Sequence, residues 1–168
     1  MKALVAVASK HGATSEIARH IGEVLADHGI DVTVSAAEQV GELSGYDAAV
    51  LGSAVYAGHW LKEARALADT LAAAASNPRV WLFSSGPVGD PPKPEQDPVD
   101  VAEIVAALTA REHRLFPGKI DKAELGFGEW AIVTALRAPE GDFRDWGQIT
   151  SRAESIAAEL RPEVHAGP

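Results

Sequence analysis

Between an apolar run, Ala3–Ala8, and a stretch of helical spacing that begins near Thr14 lies Ser9-Lys10-His11-Gly12-Ala13-Thr14. These residue types in this order suit a phosphate monoester. Gly12 lets the backbone come close to a ligand, and Ser9 and Thr14 offer hydroxyl donors. The helix that follows adds unpaired amides and the positive end of its dipole. Lys10 and His11 either add positive charge or point to solvent. Two rival phosphate motifs are excluded by reading: no Gly-Lys-Ser/Thr closes a Walker loop, and the three spaced glycines of a dinucleotide fingerprint are missing. The remaining alternative is a strand-to-helix turn capped by Ser or Thr.

Two further stretches bear on the choice. A third apolar run leads into Gly52-Ser53-Ala54-Val55-Tyr56-Ala57-Gly58-His59-Trp60, and a fourth into Ser84-Ser85-Gly86-Pro87-Val88-Gly89-Asp90. If these runs are parallel strands, all three loops leave the sheet at one edge. One is rich in hydroxyls, one carries two aromatics between glycines, and one is small and polar. An anionic tail with a flat conjugated ring would be served, with Tyr56 or Trp60 stacking on the ring and backbone groups bonding its edge. Flavin mononucleotide (FMN) fits that description. For Tyr56 and Trp60 the other reading is partial burial against the sheet. His59 either tunes the ring or substrate carboxylates, or is a solvent-facing histidine at the start of a helix.

Other chemistries find little support. With no cysteine there is no disulfide, thiol catalysis or cysteine metal site. No Gly-x-Ser-x-Gly elbow occurs, and the histidines at 11, 20, 28, 59, 113 and 165 include no i, i+4 pair, so neither a hydrolase nor a metal site is expected. No residue need act as nucleophile or general base, because a flavin would carry its own chemistry.

The elements that must position these loops can be read from periodicity. Strand-length apolar runs occupy Ala3–Ala8, Val32–Ser35, Ala48–Gly52 and Val80–Ser84, with a weaker fifth at His113–Phe116. Helical spacing follows at Ile17, Ile21, Val24 and Leu25, again at Leu61, Ala64, Ala68 and Leu71, at Val101, Ile104, Val105 and Leu108, and from Trp146 to Leu160. Strands apolar on both faces, alternating with such helices, predict a doubly wound α/β fold with a parallel sheet covered on both sides. Ligands bind such sheets beyond the carboxyl ends of the strands, where strand order reverses, and the loop after the first strand lies there. Gly86–Pro98 holds too much proline for strand or helix and reads as a surface loop. Asp121–Asp145 reads as an irregular helix followed by a loop.

At 168 residues the chain has the length of one domain, expected over residues 1–162 with a frayed tail at 163–168. A formal charge of −9 disfavours nucleic acid and anionic membranes as general partners while leaving a local anion site possible. Neither a secretory signal nor a membrane span is indicated, so a cytoplasmic location is the expectation.

Ser9-Lys10-His11-Gly12-Ala13-Thr14 resembles the phosphate loop of the flavodoxin family, Ser/Thr-x-Thr-Gly-x-Thr, with His11 in place of the usual threonine. Within that superfamily the chain is similar to the menaquinone-dependent protoporphyrinogen dehydrogenase group, through "GSAVYAGHW", "HRLFPGKID" and "GDFRDWGQI". The resemblance implies a five-stranded parallel sheet in the order 2-1-3-4-5 with helices on both faces, and non-covalent FMN. Carried over by position, Ser9, Lys10, His11, Gly12, Ala13 and Thr14 surround the phosphate. Ala54, Val55, Tyr56, Ala57 and Gly58 line the ring, Ser84, Ser85 and Gly86 close its other edge, and His59 and Trp60 stand on the substrate side. Trp146 is expected to open the last helix and pack on the sheet. The implied partners are a small-molecule donor and acceptor, such as a porphyrinogen and a quinone, or a redox protein. Enteric members of the dehydrogenase group carry a longer basic and apolar insertion between the positions of Gly118 and Asp145. Here that stretch is shorter, and Lys119, Lys122, Arg137 and Arg144 are offset by nearby acids.

Overall fold

The computed structural model describes residues 1–89 and 91–162. The expected tail at 163–168 lies outside the described residues. In chain order the elements are β1 (Lys2–Ala8), α1 (Ala13–Asp27), β2 (Asp31–Ala36), β3 (Ala48–Tyr56), β4 (His59–Trp60), α2 (Lys62–Ala73), β5 (Arg79–Ser85), α3 (Val101–Leu108), β6 (Glu112–Phe116), β7 (Lys119–Ile120), α4 (Phe127–Ala135), β8 (Gly141–Asp142) and α5 (Trp146–Leu160).

Five strands pair in parallel in the order β2-β1-β3-β5-β6, which is the expected 2-1-3-4-5 arrangement; β4 adds an antiparallel hairpin to β3. Two-residue alternation builds both cores from the same strands. Ala3, Val5 and Val7 of β1, with Trp81 and Phe83 of β5, face α1 and α5. Leu4, Ala6 and Ala8 of β1, with Val80 and Leu82 of β5, face α2 and α3. Each fully buried Leu, Ile or Phe contributes roughly 1.5–3 kcal/mol, so both helix layers are firmly attached and the ends of the central strands are fixed.

Two expectations are corrected. β2 is covered less fully than the central strands: at the sheet's edge none of its residues is buried, and Val34, although it meets Gly22 of α1, is 44% exposed. Trp146 does not pack on the sheet. It is the first residue of α5, ahead of the buried stripe Ile149, Ala153, Ile156 and Leu160, and its indole meets His20 of α1 edge-on at 5.3 Å, with the Arg144 guanidinium 4.8 Å from its centre.

Asp121–Asp145 contains α4, as the irregular-helix reading anticipates, together with a 3-10 turn at Lys122–Glu124. Its end is not wholly loop: β8 pairs antiparallel with β7 through Lys119↔Asp142 and Ile120↔Gly141. The described residues of Gly86–Pro98 form neither helix nor strand, and Val88↔Lys93 make an isolated bridge.

Candidate functional site

Strand register decides where the loops meet. Ala8 of β1 lies beside Ser53 of β3, and Ala54 beside Ser85 of β5. The three loops therefore leave at one level, at the point where the chain reverses direction across the sheet between β1 and β3. A cleft of about 180 Å³ opens there. A larger groove of about 610 Å³ runs between β6 and α5, but none of the three loops contributes to it.

The first loop has the form an anion site requires. Gly12 takes a left-handed conformation (φ 87°), and its N–H donates to Ser9 Oγ at 3.1 Å, which closes the turn. No side chain caps α1. Its first-turn amides thus keep their capacity for a ligand, and Ala13 and Thr14 face the cleft. Opposite them a carboxylate is already in place: Glu129 of α4 sits 2.9 Å from Lys10 Nζ and 2.6 Å from His11 Nε2. The His11 and Lys10 hydrogen bonds hold its carboxyl below the usual glutamate range.

The second loop is a two-residue hairpin. Ala57 (φ 50°) and Gly58 (φ 79°) both take positive φ, as the tight turn between Tyr56↔His59 demands. Ala54, Val55 and Tyr56 line the cleft, whereas Ala57 and Gly58 shape the turn without lining it. Tyr56 is 40% exposed, and Lys10 Nζ lies 4.4 Å from its ring centre.

His59 and Trp60 do not reach the cleft. The Trp60 indole is buried and donates to Ser84 Oγ at 2.7 Å, while its backbone N–H donates to Asp100 Oδ2. His59 turns to the start of α3, with Nδ1 3.2 Å from both Asp100 oxygens. Burial pushes the Asp100 carboxyl up, but the bonds from His59 and Trp60 and the charges of His59 and Arg65 outweigh it and leave it below the usual range. His59 is thus paired with Asp100 rather than simply facing solvent at a helix start, and Trp60 is wholly rather than partly buried.

Ser85 and Gly86 line the cleft; Ser84 does not. Its hydroxyl, fully buried, accepts from the Trp60 indole and meets His113 Nε2 at 2.7 Å, and Asp97 lies 3.5 Å from His113 Nδ1. This Ser-His-Asp order is not hydrolytic, because no substrate can reach an oxygen inside the sheet layer. An indole can only donate, so Ser84 Oγ accepts from Trp60, and its own hydrogen can be given to Nε2 when that nitrogen is unprotonated.

The cleft's far wall escapes sequence reading. It consists of Gly118, β7, Leu125 and the α4 residues Glu129, Ile132 and Val133. Gly118 is a traceable signal: a Cβ there would stand 3.3 Å from Gly86 backbone, and its N–H donates to the Pro87 carbonyl at 2.7 Å. Arg144 anchors the same wall to the phosphate-type loop, donating to Asp142, to Glu16 and to the Ala13 carbonyl. The bond to Asp142 foremost raises its pKa, and the same bond holds Asp142 below the usual range.

A family model described as "Flavodoxin domain" matches residues 4–146. The chain belongs to the flavodoxin-domain family. Solved structures agree on the fold. A flavodoxin from the domain Archaea is 23% identical, with 95% of this chain and 98% of that one covered and a TM-score of 0.65. Flavodoxin 2 from Bacillus cereus is 23% identical, with 95% and 100% covered and a TM-score of 0.66. Rubredoxin oxygen:oxidoreductase from Desulfovibrio gigas is 15% identical with a TM-score of 0.66; the match takes in 98% of this chain and 37% of that one. No curated protein sequence matches. Among the described residues no helix is long and apolar enough to cross a membrane.

Proposed function

We propose that the cleft binds FMN without a covalent link and that the chain is a flavodoxin-type electron carrier of the cytoplasm, exchanging electrons with a redox protein. One observation carries this reading. At the end of β1, next to the uncapped start of α1, Lys10 and His11 already converge on a carboxylate, so the loop is electrostatically suited to an anion. Membership of the flavodoxin-domain family supports it.

The residues fit the group. Ser9, Gly12, Ala13 and Thr14 would hold the phosphate through amides and hydroxyls, with Lys10 and His11 supplying charge. Tyr56 would stack on the ring, with Ala54, Val55, Ser85 and Gly86 against its edges. When bound, the flavin supplies the electron chemistry. The protein's part is to orient the ring, exclude water from it and present an acidic surface, at −9 overall, to a basic partner.

A second reading, oxidation of a small donor such as a porphyrinogen with a quinone as acceptor, is favoured by one feature: α4, which walls the cleft, exposes the apolar side chains of Phe127 and Trp130. Turnover of porphyrinogen or reoxidation by a quinone would support it, against electron exchange with a protein alone.

The test is a visible spectrum of the purified protein during titration with FMN. Bound-flavin bands, weakened by Gly12→Ala and Thr14→Val, are expected. An unchanged free-FMN spectrum at high protein concentration would end the redox reading.

A further inference from the structure

We propose that α4 is a tethered competitor for the anion site: Glu129 occupies the place at Lys10 and His11 that a ligand phosphate takes, and the phosphate enters by releasing α4 from the cleft. This rests on the FMN reading for the identity of the ligand, though not for the displacement itself.

Three observations converge on it. Glu129 touches Lys10 and His11, one through each carboxylate oxygen, across more than a hundred residues of sequence, and its side chain is only 15% exposed against 44% for Lys10. The contact is therefore tertiary, built by the fold rather than by local sequence.

Second, little else holds α4 down. None of its nine residues is buried, and Phe127 is 89% and Trp130 46% exposed. Helices of this length gain their stability from packing an apolar face, and this one lacks such a face against the core. The Glu129 ion pairs are consequently a large share of what keeps it in place.

Third, α4 limits the cleft. Pockets for ligands of this size run to about 300–1,000 Å³, whereas the cleft here is about 180 Å³, with Glu129, Ile132 and Val133 forming one wall. The same carboxylate keeps Lys10 drawn across the Tyr56 ring at 4.4 Å. One release would widen the cleft, uncover the ring face and free Lys10 and His11. A phosphate, with more charge and more acceptor oxygens than one carboxylate, is the stronger partner for them and for the α1 amides.

The test uses FMN titration of the wild type and Glu129→Gln, with Glu129→Ala as a second variant. It also uses an environment-sensitive dye on Thr134→Cys, which labels uniquely because the chain has no other cysteine. Removing the competing charge is expected to tighten FMN binding by about tenfold, the scale of one charge-assisted contact. FMN, and at higher concentration inorganic phosphate, should shift the dye signal in the wild-type background and leave it nearly unmoved in the Glu129→Gln background. Equal or weaker FMN binding by both variants would overturn the proposal, as would a dye that ignores bound FMN. If no variant binds FMN, the flavin reading fails, and the dye response to inorganic phosphate still decides the competitor: a shift in the wild type alone supports it, and no shift overturns it.

Discussion

Gly52 of β3 and Phe83 of β5 are paired across the sheet, and the phenyl ring fills the space a Cβ on Gly52 would occupy, with Cζ 2.0 Å from that position. Phe83 is buried and tilts against Phe116 at 5.9 Å, so it has no room to retreat. Gly52→Ala should therefore destabilise the fold by about 3 kcal/mol, the upper end of ordinary overpacking. Guanidinium unfolding is expected to show a lower midpoint at constant slope. Pairing Gly52→Ala with Phe83→Leu should recover part of the loss, and strict additivity of the two would contradict the contact.

Trp60 and Tyr56, two aromatics read together in the sequence, should separate by experiment. Trp60→Phe removes the indole N–H from Ser84 and leaves a small void, at a cost of about 2 kcal/mol in stability, with little effect on flavin affinity. Tyr56→Ala should barely alter stability yet weaken FMN binding by up to about tenfold through lost stacking. Thermal unfolding and flavin titration on both variants check the division. A large affinity loss in Trp60→Phe would return that indole to the ligand.

How much of this was legible beforehand depends on the range of the interaction. β1, β3 and β5 are apolar on both faces, so their runs, and the loops they aim at one edge, could be read directly. Gly12 could be read because a strand-to-helix turn needs its positive φ. Trp60 could not be assigned, since a buried indole and a stacking one have the same local sequence; only the Ser84 partner, 24 residues away, decides between them. The far wall was hidden for the same reason. The apolar residues of α4 imply a helix, but nothing in their spacing reveals that they stay exposed, or that Glu129 meets Lys10 and His11. The edge position of β2 came from the strand order that the family resemblance implies and not from the strand's own pattern.

His113 should make stability pH-dependent. Burial pushes its pKa below the ordinary value of 6.5, against the opposing pull of Asp97 and Glu112. The unfolded chain then takes up a proton in a range where the folded one refuses it, so the contribution is full above pH 6.5 and is lost as pH falls through the folded value. Protonating Nε2 would also remove the acceptor for the Ser84 hydroxyl. Denaturant melts at pH 8 and pH 5 should show a larger fall in wild type than in His113→Gln, whose amide can accept from Ser84 without titrating. Parallel falls in the two proteins would mean that other groups carry the acid sensitivity.

Arg144 supplies the most demanding comparison. Its side chain is only 5% exposed and its guanidinium spans three partners: Asp142 at 2.7 Å, Glu16 at 2.8 Å and the Ala13 carbonyl at 3.1 Å. Both carboxylates are more than two-fifths exposed, so solvent screening limits what the pairs add. Arg144→Met should cost about 1–2 kcal/mol, below the loss for a fully buried pair. Arg144→Lys should recover little of it, because one ammonium cannot serve Asp142 and the Ala13 carbonyl at once with a guanidinium's planar geometry. Since Ala13 begins the helix at the cleft, both variants should also weaken FMN binding more than Gly52→Ala does, although that core change costs more stability. Full recovery of affinity by Arg144→Lys would show that charge alone, and not the bridge to Ala13, sets the loop's geometry.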